Sequence, residues 1–157
     1  MAVSTPFRVR RANPSDVAAL APLRTSLWPE SPIEHHQAEL SAILDGTSKR
    51  VYPLYIFVAE EGDGTIVGFL EANLRSTADG CEERLPVGYV EGWFVAESCR
   101  ARGIGATLLR AAEDWARGQG CIEMASDTAL DNFLSQRVHQ ALGFTVCARS
   151  VLYKKKL

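Results

Sequence analysis

The stretch from Val87 to Leu109 constrains this chain most. An apolar run, Val87-Gly88-Tyr89-Val90-Glu91-Gly92-Trp93-Phe94-Val95, passes through Ala96-Glu97-Ser98-Cys99 into Arg100-Ala101-Arg102-Gly103-Ile104-Gly105-Ala106 and then an amphipathic segment. That order predicts a strand, a glycine loop and a helix. Gly103 and Gly105 leave no Cβ in the way of an anion, and the first turn of the following helix offers unpaired N–H groups and the positive end of its dipole. A phosphate-bearing ligand held there has its far end beside the preceding strand, where Glu91 sits. The pattern is neither of the two familiar phosphate motifs. No Lys-Ser or Lys-Thr follows the glycines, and the third glycine position of the dinucleotide fingerprint falls on Leu108.

At 157 residues the chain reads as a single domain, 1–157, long enough to bury about two-thirds of its unfolded surface. With 17 basic and 19 acidic side chains it has no basic field to select nucleic acid or an anionic membrane. No apolar run approaches the roughly 20 residues that span a bilayer. Cys81, Cys99, Cys121 and Cys147 show no metal-ligand spacing, and the start Met1-Ala-Val-Ser-Thr-Pro has no signal-peptide pattern, so a cytoplasmic protein with free thiols is expected.

Phe7 to Arg11 alternates like a strand, and Asn13-Pro14-Ser15-Asp16 reads as the start of a helix running to about Leu27. Ser31-Pro32-Ile33-Glu34 reads as a capping box opening a second helix that stops near Gly46. Leu54 to Val58 and Thr65 to Leu74 are strand-like and flank a hairpin composition at 60–64, while an acidic turn at 79–83 precedes the strand from Val87. Ile104, Leu108, Leu109, Ala112, Trp115 and Ala116 recur at helical spacing. Cys121 to Ser126 predicts a short strand. Leu134, Val138, Ala141 and Leu142 predict the core face of a helix ending at Gly143, and Phe144 to Tyr153 a closing strand before a solvated lysine tail. The expected fold is α/β, with a mixed, largely antiparallel central sheet flanked by helices.

Beyond the loop lies Asn132-x-x-Ser135-x-x-x-His139-x-x-x-Gly143-Phe144. With Arg100-x-x-Gly103-x-Gly105, it resembles the GCN5-related N-acetyltransferase superfamily over essentially the whole chain. Leu27-Trp28-Pro29, Gly68-Phe69-x-Glu71-Ala72, Glu91-Gly92-x-Phe94-Val95, Glu123-Met124-Ala125-Ser126-Asp127-Thr128 and the run from Ser135 to Phe144 are similar to the aminoglycoside 6′-N-acetyltransferases. The resemblance implies acetyl-CoA as co-substrate. Its pyrophosphate would lie on the loop at Arg100, Arg102, Gly103, Ile104, Gly105 and Ala106, and its pantetheine arm along Trp93, Phe94 and Val95 and near Asn132. His139 stands where many members carry a tyrosine assigned as general acid, so the identity of the acid stays open. Relatives of this kind are often homodimers, and the closing strand offers an apolar edge to share.

Acetyl transfer to an amine needs a proton acceptor for that amine, donors for the developing oxyanion and a proton for the sulfur. A polycationic substrate favours carboxylates, and Glu91 and Asp127 are the candidate pair for catalysis and substrate binding. The alternatives are a solvent-facing strand residue for Glu91 and a helix cap or turn for Asp127. Trp28 either stacks on a sugar or ammonium or belongs to the core. Glu71 and Thr77, with Asp79, Glu82 and Glu83, form either an acidic rim or separate surface groups. His139 either contacts cofactor or is a half-buried histidine. His35-His36 lacks a ligand set, and no metal is expected. Transfer to another small amine, such as a polyamine or peptide N-terminus, and a non-catalytic acyl-CoA sensor are the competing functions.

Overall fold

The computed structural model describes residues 6–157; the start Met1 to Thr5, read above as lacking a signal-peptide pattern, lies outside them. Five strands form one sheet in sequence order: β1 (Phe7–Arg11), β2 (Tyr55–Glu61), β3 (Ile66–Arg75), β4 (Val87–Val95) and β5 (Met124–Ser126). The first three pairings are antiparallel and the last, β4 with β5, is parallel. Helices α1 (Val17–Leu27), α2 (Ile33–Leu44), α3 (Ile104–Gly118) and α4 (Phe133–Ala141) complete the fold.

The two-residue period of the strands feeds both faces of the sheet. Ile56, Val58 and Phe69 pack with Leu20 and Leu40 of α1 and α2, while Phe57, Leu70 and Val90 pack with Ile104, Leu108 and Ala112 of α3. Before α1, Asn13 and Asp16 cap reciprocally, and Arg10 grips both Asp16 oxygens at 2.8 Å.

Four expectations are corrected. Ser31 does not cap α2: the helix begins one residue later than a box at Ser31 requires, with extended Pro32 at its N-cap and no side-chain cap bond. The apolar face of α4 is not core, since no residue of that helix is buried and Leu134 is 56% exposed. Residues 144–153 form no strand. The expected strand from Cys121 is also shorter, with ladder pairing beginning at Met124.

Candidate active site

Where β3 meets β4, Glu71 lies opposite Gly92 and Ala72 opposite Val90, so Glu91 is an extra residue on β4. Such a bulge bends a strand and re-aims a side chain. On the other side, β5 pairs with Gly88, Tyr89 and Val90 and stops. From Glu91 to Val95, β4 therefore turns an edge without ladder partners toward the gap. The Val95 carbonyl there accepts from Arg100 Nε at 3.1 Å.

At the far end of that edge the loop turns sharply. Ala101 has φ +60° and Gly103 φ +77°, and a Cβ at Gly103 would meet nothing within 4 Å. No side chain caps α3, whose first backbone bond runs from Thr107 N–H to the Gly103 carbonyl. The amides ahead of Thr107 lie at the helix start, where the dipole favours negative charge. Arg102 is ion-paired with Glu61 at 2.7 Å, so at this loop its side chain is already engaged. Trp93 flanks Gly105, with ring atoms 3.5 Å from where a Cβ would stand. Packing within the chain therefore does not require a glycine here.

At the near end, Glu91 Oε1 accepts from Asn73 Nδ2 at 2.6 Å and Arg75 Nη2 at 2.5 Å. The Arg75 guanidinium lies 3.4 Å from the centroid of Tyr89, whose hydroxyl donates to Asp127 Oδ1 at 2.6 Å. Glu91 and Asp127 are thus joined through Arg75 and Tyr89. Burial, reinforced by Asp127, pushes the Tyr89 phenol well above its usual range, so it stays a donor. Burial works against the charged Arg75, but the bond and charge of Glu91 hold its pKa above the ordinary value. Sequence reading passed over Asn73, Arg75 and Tyr89. The signal available was two alternating pairs, Asn73-x-Arg75 and Tyr89-x-Glu91, on neighbouring strands.

Trp28 is half-buried beneath the bulge, 6.3 Å from Phe69 and 5.2 Å from the Arg24 guanidinium. Glu71 does not join an acidic rim. It is 1% exposed and ion-paired with Arg24 at 2.7 Å, and burial raises its carboxyl pKa despite that cation. Thr77 is exposed in the loop after β3. His139 reaches back from α4, with Nδ1 donating to the Ser135 carbonyl at 2.8 Å and Nε2 lying 2.9 Å from Ser126 Oγ. Its ring stands edge-on to Trp93 at 5.6 Å. Asn132 Oδ1 caps α4 by accepting from Ser135 N–H at 3.1 Å, leaving Nδ2 as its remaining donor. Tyr89, Ser126, Asp127 and His139 open onto a cavity of about 810 Å³ bounded by α4 and the C-terminal segment. Among the described residues no group of His, Cys, Asp and Glu is arranged to hold a metal.

In the comparison with known sequences, the Acetyltransferase (GNAT) family profile fits residues 20–144. The chain belongs to this acetyltransferase family. It is 40% identical over 149 residues to an aminoglycoside N(6′)-acetyltransferase type 1 of Klebsiella aerogenes, covering 95% of this chain and 96% of that one. A protein of the same name from Serratia marcescens is 43% identical over 136 residues, covering 86% and 89%. Among solved structures, AAC(6′)-Iy in complex with the bisubstrate analogue CoA-S-monomethyl-acetylneamine superposes with TM-score 0.85 at 37% identity, covering 98% of this chain and 100% of that one. The acetyltransferase fold here is thus the mixed, largely antiparallel sheet expected.

Proposed function

We propose that this acetyltransferase moves the acetyl group of acetyl-CoA to the 6′-amine of aminoglycosides by direct attack in a ternary complex, and so confers resistance to them. The observation that carries the reading is the open β4 edge from Glu91 to Val95, with the Gly103–Gly105 cradle at one end and the Glu91–Asp127 pair at the other. The names of the relatives point to the same donor and acceptor.

In this reading the amides of Arg102 through Ala106 hold the pyrophosphate and Arg100 lies against it. The backbone of Trp93, Phe94 and Val95 pairs with the pantetheine arm as an added strand, and Asn132 and His139 flank the arm. Asp127 and Trp28 bind the cationic sugar, with Thr77 at the rim. Glu91 takes the proton of the ammonium, directly or through water. The freed amine attacks the thioester carbonyl, a new C–N bond forms and the C–S bond breaks to release CoA thiolate; the nitrogen sheds a second proton as it becomes the amide, and the thiolate takes one up. No metal enters the scheme. Residues 1–157 act as one catalytic domain in the cytoplasm, with neither nucleic acid nor membrane as partner. Its net charge of −2, its four free cysteines and the lack, among the described residues, of a helix long and apolar enough to cross a membrane are consistent with that setting.

The active form in this reading is a homodimer. Phe133 and Leu134 of α4 and Val151, Leu152 and Tyr153 of the C-terminal segment are exposed apolar groups, and β5 is a sheet edge. A second copy would supply a ladder for Phe144 to Tyr153 and cover α4. Sedimentation equilibrium should give twice the chain mass, and a monomer at working concentration removes this part.

The reaction is tested by acetyl-CoA-dependent thiol release against aminoglycosides, polyamines and peptide N-termini. Selective turnover of aminoglycosides is expected. Preference for another amine reassigns the substrate, and CoA binding without turnover makes the protein a sensor.

A further inference from the structure

Both donors to Glu91 fall on the same oxygen, Oε1, from Asn73 Nδ2 and Arg75 Nη2. Neither reaches Oε2. Asn73 is 1% exposed, so its amide approaches from inside the sheet, whereas Arg75 comes from the strand end, laid flat on Tyr89 and 5.7 Å from the centroid of Tyr52. A guanidinium stacked on one ring and bonded to a carboxylate has little freedom left. Tyr89 is held in turn through its hydroxyl on Asp127. Asn73, Arg75 and Glu91 line a cleft of about 300 Å³ together with Arg50, Val51 and Tyr52.

We propose that Asn73 and Arg75 are positioning residues that clamp Glu91 Oε1, leaving Oε2 as the oxygen that takes the amine proton, with Tyr89 holding Arg75 flat and tying the clamp to Asp127. The proposal rests on the reading of Glu91 as proton acceptor. The clamp fixes the carboxylate's orientation before substrate arrives, which matters because proton transfer depends on reach and angle. It also keeps a positive charge beside Glu91. A fixed cation between two carboxylates limits how many substrate ammonium groups the site receives there.

The variants are Arg75→Met, which keeps the stem and removes charge and fork, Arg75→Lys, which keeps the charge, and Tyr89→Phe, which keeps the ring and removes the bond to Asp127. In the full chain with 13C-labelled glutamate side chains and no substrate, the Glu91 carboxyl resonance, assigned by its loss in Glu91→Gln, should move and its side-chain order, read by relaxation, should fall in Arg75→Met. Arg75→Lys should lose order likewise. With an aminoglycoside the wild type turns over, kcat should fall about tenfold in both Arg75 variants, since lysine restores charge but not the stacked fork. Tyr89→Phe should mainly raise KM for the amine.

An unmoved Glu91 resonance with unchanged side-chain order in Arg75→Met overturns the clamp. So does a rise in kcat/KM in that variant, which would mean that Arg75 only occupies the place of a substrate ammonium. Lower thermal stability with unchanged Glu91 side-chain order and kcat would make Arg75 structural and also overturns it. The order measurement needs no substrate, so absence of aminoglycoside turnover in the wild type counts against the proposed function while the clamp is still decided.

Discussion

Gly92→Ala should damage both stability and substrate binding, because the bulge leaves no room for a methyl group. A Cβ at Gly92 would stand 2.3 Å from Trp28 Cη2 and 2.8 Å from Cζ2, with Leu27 Cδ2 at 3.4 Å. Carbon atoms in contact keep about 3.5–4.0 Å, so the indole must retreat by roughly 1 Å or more. Phe69 at 6.3 Å, His36 at 6.5 Å and Arg24 at 5.2 Å hem in that ring. Overpacking of this kind costs about 1–3 kcal/mol, which for a chain of this size lowers Tm by about 2–12 °C. If Trp28 also meets the sugar, KM for the aminoglycoside rises while CoA affinity holds. Calorimetry and steady-state kinetics read the two effects separately. Gly105→Ala is the control, since its Cβ meets Trp93 at an ordinary 3.5 Å and should leave Tm nearly unchanged. Wild-type Tm and KM in Gly92→Ala would refute the packing argument.

Gly105→Val should raise KM for acetyl-CoA strongly with little change in aminoglycoside binding, because the branch blocks backbone approach to the pyrophosphate; titration calorimetry with CoA checks it. Glu91→Gln should lower kcat and flatten its acidic limb, whereas Asp127→Asn should chiefly raise KM for the amine, each by about 1–3 kcal/mol, read from kinetics across pH. Asp16 has a folded pKa below its ordinary 3.8, held first by Arg10 with burial opposing, so its stabilisation is present above about pH 4 and lost as pH falls through the folded value. Asp16→Asn should therefore lower Tm near neutral pH and flatten the decline of Tm in acid.

Local chemistry made much of this fold legible. The strand, loop and helix from Val87 onward follow from glycine placement and apolar period, and Asn13 with Asp16 forms the cap that their spacing predicts. Distant partners were invisible. Glu71 reads as a surface acid until Arg24, 47 residues earlier, folds against it. Arg75 and Tyr89 enter the site through strand register, which a bulge at Glu91 shifts by one residue. Leu134 and Val138 carry a true apolar stripe on α4, but an apolar stripe does not say what covers it, and here both are exposed. The segment from Phe144 likewise has strand composition, yet no strand of this chain pairs with it.

The most direct measurement is the position of the acetyl group. An aminoglycoside bearing a 6′-amine, incubated with the full chain and acetyl-CoA labelled with 13C at the carbonyl, should show by NMR a single new amide on the 6′ nitrogen, and a matched compound with a 6′-hydroxyl should stay unmodified. An amide on any other ring nitrogen, or acetylation of both compounds alike, would contradict the account.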